Sequence, residues 1–130
     1  MTAILAPETV MACAIKVLTH TGKPVLIEEV SGLFATLRRE HIEDVGKVAL
    51  RRVPHGLYSE DVEAFFGRLL ASDLAKACSP LTVTPQGLQL CQELIDEENQ
   101  SHPDAFAKVA KALGYDLEFL TNPAGQQKPA

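Results

Sequence analysis

Apolar positions recur at helical spacing along most of this chain. Val10, Cys13, Ala14, Val17 and Leu18 form one stripe. It follows Pro7, Glu8 and Thr9 and ends at Thr21-Gly22-Lys23-Pro24. Proline in the first turn sacrifices no needed N–H, and an early acid suits the helix dipole, so this is a first helix. Ile27, Val30, Leu33, Phe34 and Leu37 repeat the spacing behind Glu28 and Glu29, predicting a second helix over 25–38 despite Gly32. From Glu40 the pattern supports two readings. Ile42, Val45, Val48 and Ala49 suit a short third helix, whereas Lys47 to Val53 alternate like a strand, with Gly46 between the two possibilities.

Pro54 to Tyr58 reads as a turn, and Ser59 as the N-cap of a helix carrying Val62, Phe65, Phe66, Leu69, Leu70 and Leu74. That stripe is the most regular in the chain and predicts the centre of the core. Leu74 to Cys78 and Leu81-Thr82-Val83 flank Ser79-Pro80 as two short strands. Thr84 then caps a helix with Pro85 at its first position and Leu88, Cys91, Leu94 and Ile95 on its inner face, running into Asp96-Glu97-Glu98. Ser101-His102-Pro103-Asp104 opens a last helix with Phe106, Val109, Ala110 and Leu113, ended by Gly114. Tyr115 to Leu120 is read as a short strand. The Pro- and Gln-containing residues 122–130 are read as a flexible C-terminal tail, leaving 1–121 as a single domain.

Composition sharpens this picture. Forty-six per cent hydrophobic residues in a 130-residue chain suffice for one core without disulfides or a structural metal, and the absence of Trp favours helices packed through aliphatic side chains. The fold class expected is mainly α, with five or six helices and one short β-hairpin. Cys13, Cys78 and Cys91 are odd in number, lack metal-ligand spacing and sit among apolar neighbours, as buried thiols of a reducing compartment do. With no signal-like start and no run long enough to span a bilayer, the expected location is the cytoplasm, away from membranes.

Charge is uneven. The net charge is −5, made of +1 over residues 1–56 and −6 over 57–130. A polyanion would therefore meet the first half, where Arg38, Arg39, His41, Lys47, Arg51, Arg52 and His55 cluster. The competing reading is a solvated face balanced by Glu40, Glu43 and Asp44.

The order of elements from Ser59 to Glu98, with its "Leu-Thr-x-Thr-Pro-x-Gly" entry to the closing helix, resembles winged-helix regulators of the multiple-antibiotic-resistance and PadR-like groups. The resemblance implies a winged-helix-like core and binding of double-stranded DNA through the helix at 59–72. It also implies a homodimer contacting through helix 1 or the helix at 103–113. Here the reading helix offers Glu60, Asp61, Glu63, Arg68, Ser72 and Asp73, which is an acidic face, and Ser79-Pro80 leaves no basic wing loop. The nucleic-acid-binding residues expected are therefore Arg38, Arg39, Lys47, Arg51, Arg52 and His55, with Arg68. Weaker likenesses point to antitoxin-associated domains. His55 to Ser59 is similar to a "Tyr-Gly-Pro-x-Ser" helix entry, and Asp104 to Glu118 looks like the closing helix of Cro-type antitoxins. The acidic surface and the absent basic wing keep open the alternative of a protein-interaction or antitoxin-like module with a protein partner and no DNA.

No nucleophile motif, phosphate-cradling Gly loop or zinc helix is present, so no catalytic residue, metal or cofactor is expected and the protein is read as non-enzymatic. Glu40, His41 and Asp44 could orient an imidazole on one helix face, but surface pairing explains them equally. His20 suits a helix C-terminus and His102 an N-cap neighbour. Asp96 to Glu98 lack the Gly and ligand spacing of a calcium loop.

Overall fold

The computed structural model describes residues 4–122. Among them the chain forms α1 (Pro7–Thr21), α2 (Ile27–Arg39), β1 (Arg51–Val53), β2 (Gly56–Tyr58), α3 (Glu60–Ala71), β3 (Ala75–Cys78), β4 (Leu81–Val83), α4 (Pro85–Ser101), α5 (Pro103–Leu113) and α6 (Leu117–Thr121). The fold is mainly helical, with two separate antiparallel strand pairs, β1–β2 and β3–β4. The second pair was expected; the first was not.

The centre of the core is α1, not α3. Thr9 through Lys16 and Leu18 are all buried, so α1 is covered on every side, chiefly by α4. A helix apolar all round belongs inside, whereas a regular stripe marks a helix with only one buried face. Accordingly, α3 buries Val62, Phe65, Phe66 and Leu69 and leaves Leu70 42% exposed. From Thr9 to Lys16, helix α1 therefore leaves no free face for a dimer contact, and α5 turns its apolar residues Phe106, Val109 and Ala110 inward.

Four helices end in one way. In α1 and α5, Gly22 and Gly114 take left-handed φ values of 75° and 78°. The next N–H reaches back to Leu18 O at 2.9 Å and to Ala110 O at 2.9 Å, the pattern of a Schellman cap. The same reach-back follows His41 (Ile42 N–H to Leu37 O, 2.9 Å) and Asp73 (Leu74 N–H to Leu69 O, 2.8 Å), although neither is glycine and their φ values are 58° and 61°.

Residues 42–50 are not a helix. Val45 instead forms a parallel bridge with Leu5, and the amides of Ile4 and Leu5 donate to Asp44 O at 3.0 and 2.7 Å. A Cβ on Gly46 would lie 2.9 Å from Pro7 Cδ, so the absence of a side chain lets this extended segment lie against the start of α1. The strand reading holds only over Arg51–Val53, and Gly56 to Tyr58, expected as a turn, pair with it.

The caps fall where expected. Ser59 Oγ accepts from the amides of Asp61 (3.1 Å) and Val62 (3.4 Å), and the Ser59 amide donates to Ser31 Oγ at 3.0 Å, tying α3 to α2. Thr84 Oγ1 accepts from Gly87 N–H at 3.1 Å and donates to Leu74 O at 3.1 Å. There α4 meets the turn between α3 and β3 so closely that a Cβ on Gly87 would sit 2.1 Å from Leu74 O. Strand β4 is further anchored by the Val25–Leu81 bridge, with Leu81 N–H donating to Val25 O at 2.8 Å.

Residues 117–121 are a helical turn rather than the expected strand, because Asp116 Oδ1 caps it by accepting from Glu118 N–H at 3.1 Å. Its C-terminal carbonyls meet a buried cation. Lys16 is 2% exposed and donates to Gln92 Oε1 (2.5 Å) and to the carbonyls of Phe119 (2.7 Å), Leu120 (3.1 Å) and Asn122 (3.3 Å). A cation facing the last carbonyls of a helix is a favourable arrangement, and here it joins α1, α4 and α6. Burial pushes the Lys16 amine below its usual pKa, opposed by Asp96 and Cys13. Apart from Asn122, the tail read over 122–130 lies outside the described residues.

Candidate nucleic-acid interface

Strands β1 and β2 pair with Arg51 opposite Tyr58, Arg52 opposite Leu57 and Val53 opposite Gly56. Paired residues share a face and neighbours along a strand alternate, so the hairpin divides its cations. On one face, the Arg51 guanidinium lies 4.7 Å from the Tyr58 ring and 4.0 Å from Glu60. Both charged side chains are largely in solvent, where such a pair contributes about 0–1 kcal/mol. Burial pushes the Tyr58 phenol above its usual pKa; a hydrogen bond to Glu63 acts the same way and Arg51 opposes.

Arg52 shares the other face with Leu57, which lines an open groove with Arg39, Thr36 and Gly56. Arg39 donates to Thr36 Oγ1 at 3.2 Å. His55, at the tip of the hairpin, is exposed.

Arg38 points the other way along the same edge, donating from Nη2 to Val48 O at 2.6 Å. It shares with Lys47 the rim of a pocket of about 150 Å3 between the end of α2 and residues 42–48. The structure thus brings Arg38 beside Lys47, and Arg39 beside the β2 face that Arg52 shares. Arg68 belongs elsewhere: it ion-pairs with Glu8 at 3.5 Å and lies over Phe65.

The acids expected to balance this cluster only partly do so. Asp44 turns to Lys108 at 3.0 Å, so it orients no imidazole at His41. Among the described residues, neither Glu40 nor Glu43 forms an ion pair with a cluster member, and neither Lys47 nor Arg52 is ion-paired.

The remaining polar groups carry structure. Cys13 and Cys91 are buried and their thiols are pushed up to about 12, chiefly by that burial, which keeps them protonated and unreactive. Cys78 Sγ donates to Phe66 O at 3.5 Å. His102 meets Glu98 at 3.4 Å, and the His20 ring lies 4.6 Å from that of Phe119. Among the described residues, no group of three or more His, Cys, Asp or Glu side chains is placed to hold a metal ion, and no helix is long and apolar enough to cross a membrane.

Two features escaped the sequence. Lys16 is a lone charge within an otherwise uncharged run from Thr9 to Thr19, and that isolation was the available signal. The pocket beside Arg38 had none, because it depends on residues 42–48 being extended. Comparison with protein families, curated proteins and solved structures finds no match to this chain.

Proposed function

We propose that this chain is a non-enzymatic regulatory protein on a winged-helix-like scaffold that holds double-stranded DNA by its first hairpin and the adjoining end of α2. One observation carries the proposal: the exposed two-stranded ribbon β1–β2 bears Arg51 on one face, Arg52 on the face whose Leu57 lies against Arg39, and His55 at its tip, with Arg38 and Lys47 on the rim of the neighbouring pocket. The major groove admits a two-stranded ribbon as well as a helix, and phosphate contacts dominate affinity. The winged-helix reading draws support from the order α3, β3–β4, α4 and from the Val25–Leu81 bridge onto the hairpin.

The usual reading helix is a poor candidate here. Its exposed first turn is Glu60, Asp61 and Glu63, and its Arg68 is engaged by Glu8. Residues 40–59, with a hairpin inside them, also separate α2 from α3, whereas a helix-turn-helix joins its helices through a turn of about 3–4 residues. The ribbon takes over the holding role.

The test is retention of duplex DNA across a salt series. Engagement of about three to five phosphates should weaken binding by about 40- to 500-fold between 50 and 200 mM salt. No retention at low salt, or affinity that ignores salt, would remove the reading.

The acidic exposed turn of α3 favours a second reading, an antitoxin-like or other protein-interaction module without DNA binding. It predicts no duplex binding and recovery of a basic protein partner in stoichiometric amount, with Glu60→Lys and Glu63→Lys abolishing that recovery.

A further inference from the structure

The pocket on the basic edge has a buried floor and a charged mouth. Phe34, Leu37, Val45 and Val48 are buried beneath it, while Arg38, His41, Glu43 and Lys47 stand exposed around it. We propose that it binds a short-chain aliphatic monocarboxylate, tail inward, with the carboxylate at the mouth between Arg38 and Lys47.

Size, shape and charge each narrow the ligand. A volume of about 150 Å3 matches a cavity that holds a benzene-sized molecule, so the tail is limited to about six carbons. The floor is branched aliphatic apart from Phe34, continuous with the core and without a polar side chain to meet a hydroxyl or amide. At the mouth, the bond from Arg38 Nη2 to Val48 O fixes the guanidinium and leaves other N–H donors of its fork free for two carboxylate oxygens. Lys47, free of ion pairs among the described residues, adds a second positive charge. Glu43 on the same rim repels a further negative charge, which selects a monoanion over a dicarboxylate.

The position of the pocket suggests a purpose. Arg38 and Lys47 are also phosphate contacts in the proposed DNA edge, so a carboxylate held between them would neutralise two of the charges that hold DNA. Ligand and DNA would then oppose each other, and by linkage each would weaken the other by the same factor, on the order of tenfold. This coupling rests on the DNA reading; the pocket does not.

The experiment uses the full chain without DNA, titrated with acetate, butyrate, hexanoate, octanoate, adipate and hexanol while backbone amide resonances are followed. Hexanoate should shift resonances within 34–48, with affinity rising about fourfold per added methylene up to hexanoate and levelling at octanoate. Adipate and hexanol should bind at least about tenfold more weakly than hexanoate. Lys47→Gln, at an exposed position, should weaken hexanoate at least about threefold without altering thermal unfolding. Equal binding of hexanol, no dependence on chain length, shifts confined elsewhere, or no binding at about 10 mM would overturn the proposal. A duplex competition completes the test. If hexanoate binds but no DNA is retained, the pocket stands and the DNA reading falls; if DNA is retained without hexanoate binding, only the pocket falls. If both bind without opposing each other, the coupling is wrong.

Discussion

The two hairpins use the same local geometry for opposite ends. In β3–β4, Ala75 and Leu81 are buried, Val25 bridges Leu81, and the carbonyl of Leu74 just before it receives both the amide and the hydroxyl of Thr84. Lys76 is its one cation. In β1–β2 no residue is fully buried, and three of the exposed positions are Arg51, Arg52 and His55. Packing holds Ala75 and Leu81 of β3–β4 in the core, and of its exposed positions only Lys76 is charged, whereas β1–β2 buries no position fully and concentrates cations on its exposed ones. The hairpin that looks like a wing is a core element, and the one that interrupts the helix pair is the better surface for a polyanion.

This contrast can be broken most severely at Gly87. A Cβ there would collide with the Leu74 backbone, which cannot move without displacing the entry to β3–β4, so Gly87→Ala should cost about 3 kcal/mol or more, measured by denaturant unfolding. Truncation of one leucine per hairpin grades the difference. Leu81→Ala, at 4% exposure, should cost about 2–4 kcal/mol, and Leu57→Ala, half-buried, about 1 kcal/mol.

Charge removal should reverse the ranking. Arg51→Ala with Arg52→Ala should weaken duplex binding about tenfold to a hundredfold while changing stability by no more than about 0.5 kcal/mol; Lys76→Ala should change neither appreciably. The smallest effect is a gain. Asp73 ends α3 before β3, and His41 ends α2 on the way to β1, both in the left-handed region. Asp73→Gly and His41→Gly should each stabilise by about 0.5 kcal/mol in thermal unfolding, since glycine removes the Cβ clash at some cost in unfolded-chain entropy.

Much of this was legible because it is local. Ser59, Thr84, Pro85 and Gly114 act through their own residue chemistry within a turn of chain, and each does what its type predicts. The core centre was misplaced because periodicity reports one-sided burial, while the small and apolar residues on every face of α1 report complete burial. The hairpin β1–β2 is not legible because three-residue strands leave too short an alternation, and the extended segment before it is fixed by Leu5, forty residues away in sequence. The strand expected at 115–120 was lost to the Asp116 cap. Of the basic residues, the cluster from Arg38 to His55 was readable as charge. Its division between a groove, a pocket and a hairpin face was not, because each depends on how α2 meets the hairpin. Charge alone groups Arg68 with them, and the structure places it with Glu8 instead.

The most direct test of which hairpin meets DNA is a map of backbone amide shifts on addition of a short duplex at low salt. The account predicts that the largest changes fall at residues 38–39, 47 and 51–58, fade together as salt rises, and leave β3–β4 and the exposed face of α3 undisturbed. Changes concentrated on α3 and β3–β4, with the first hairpin silent, would contradict it.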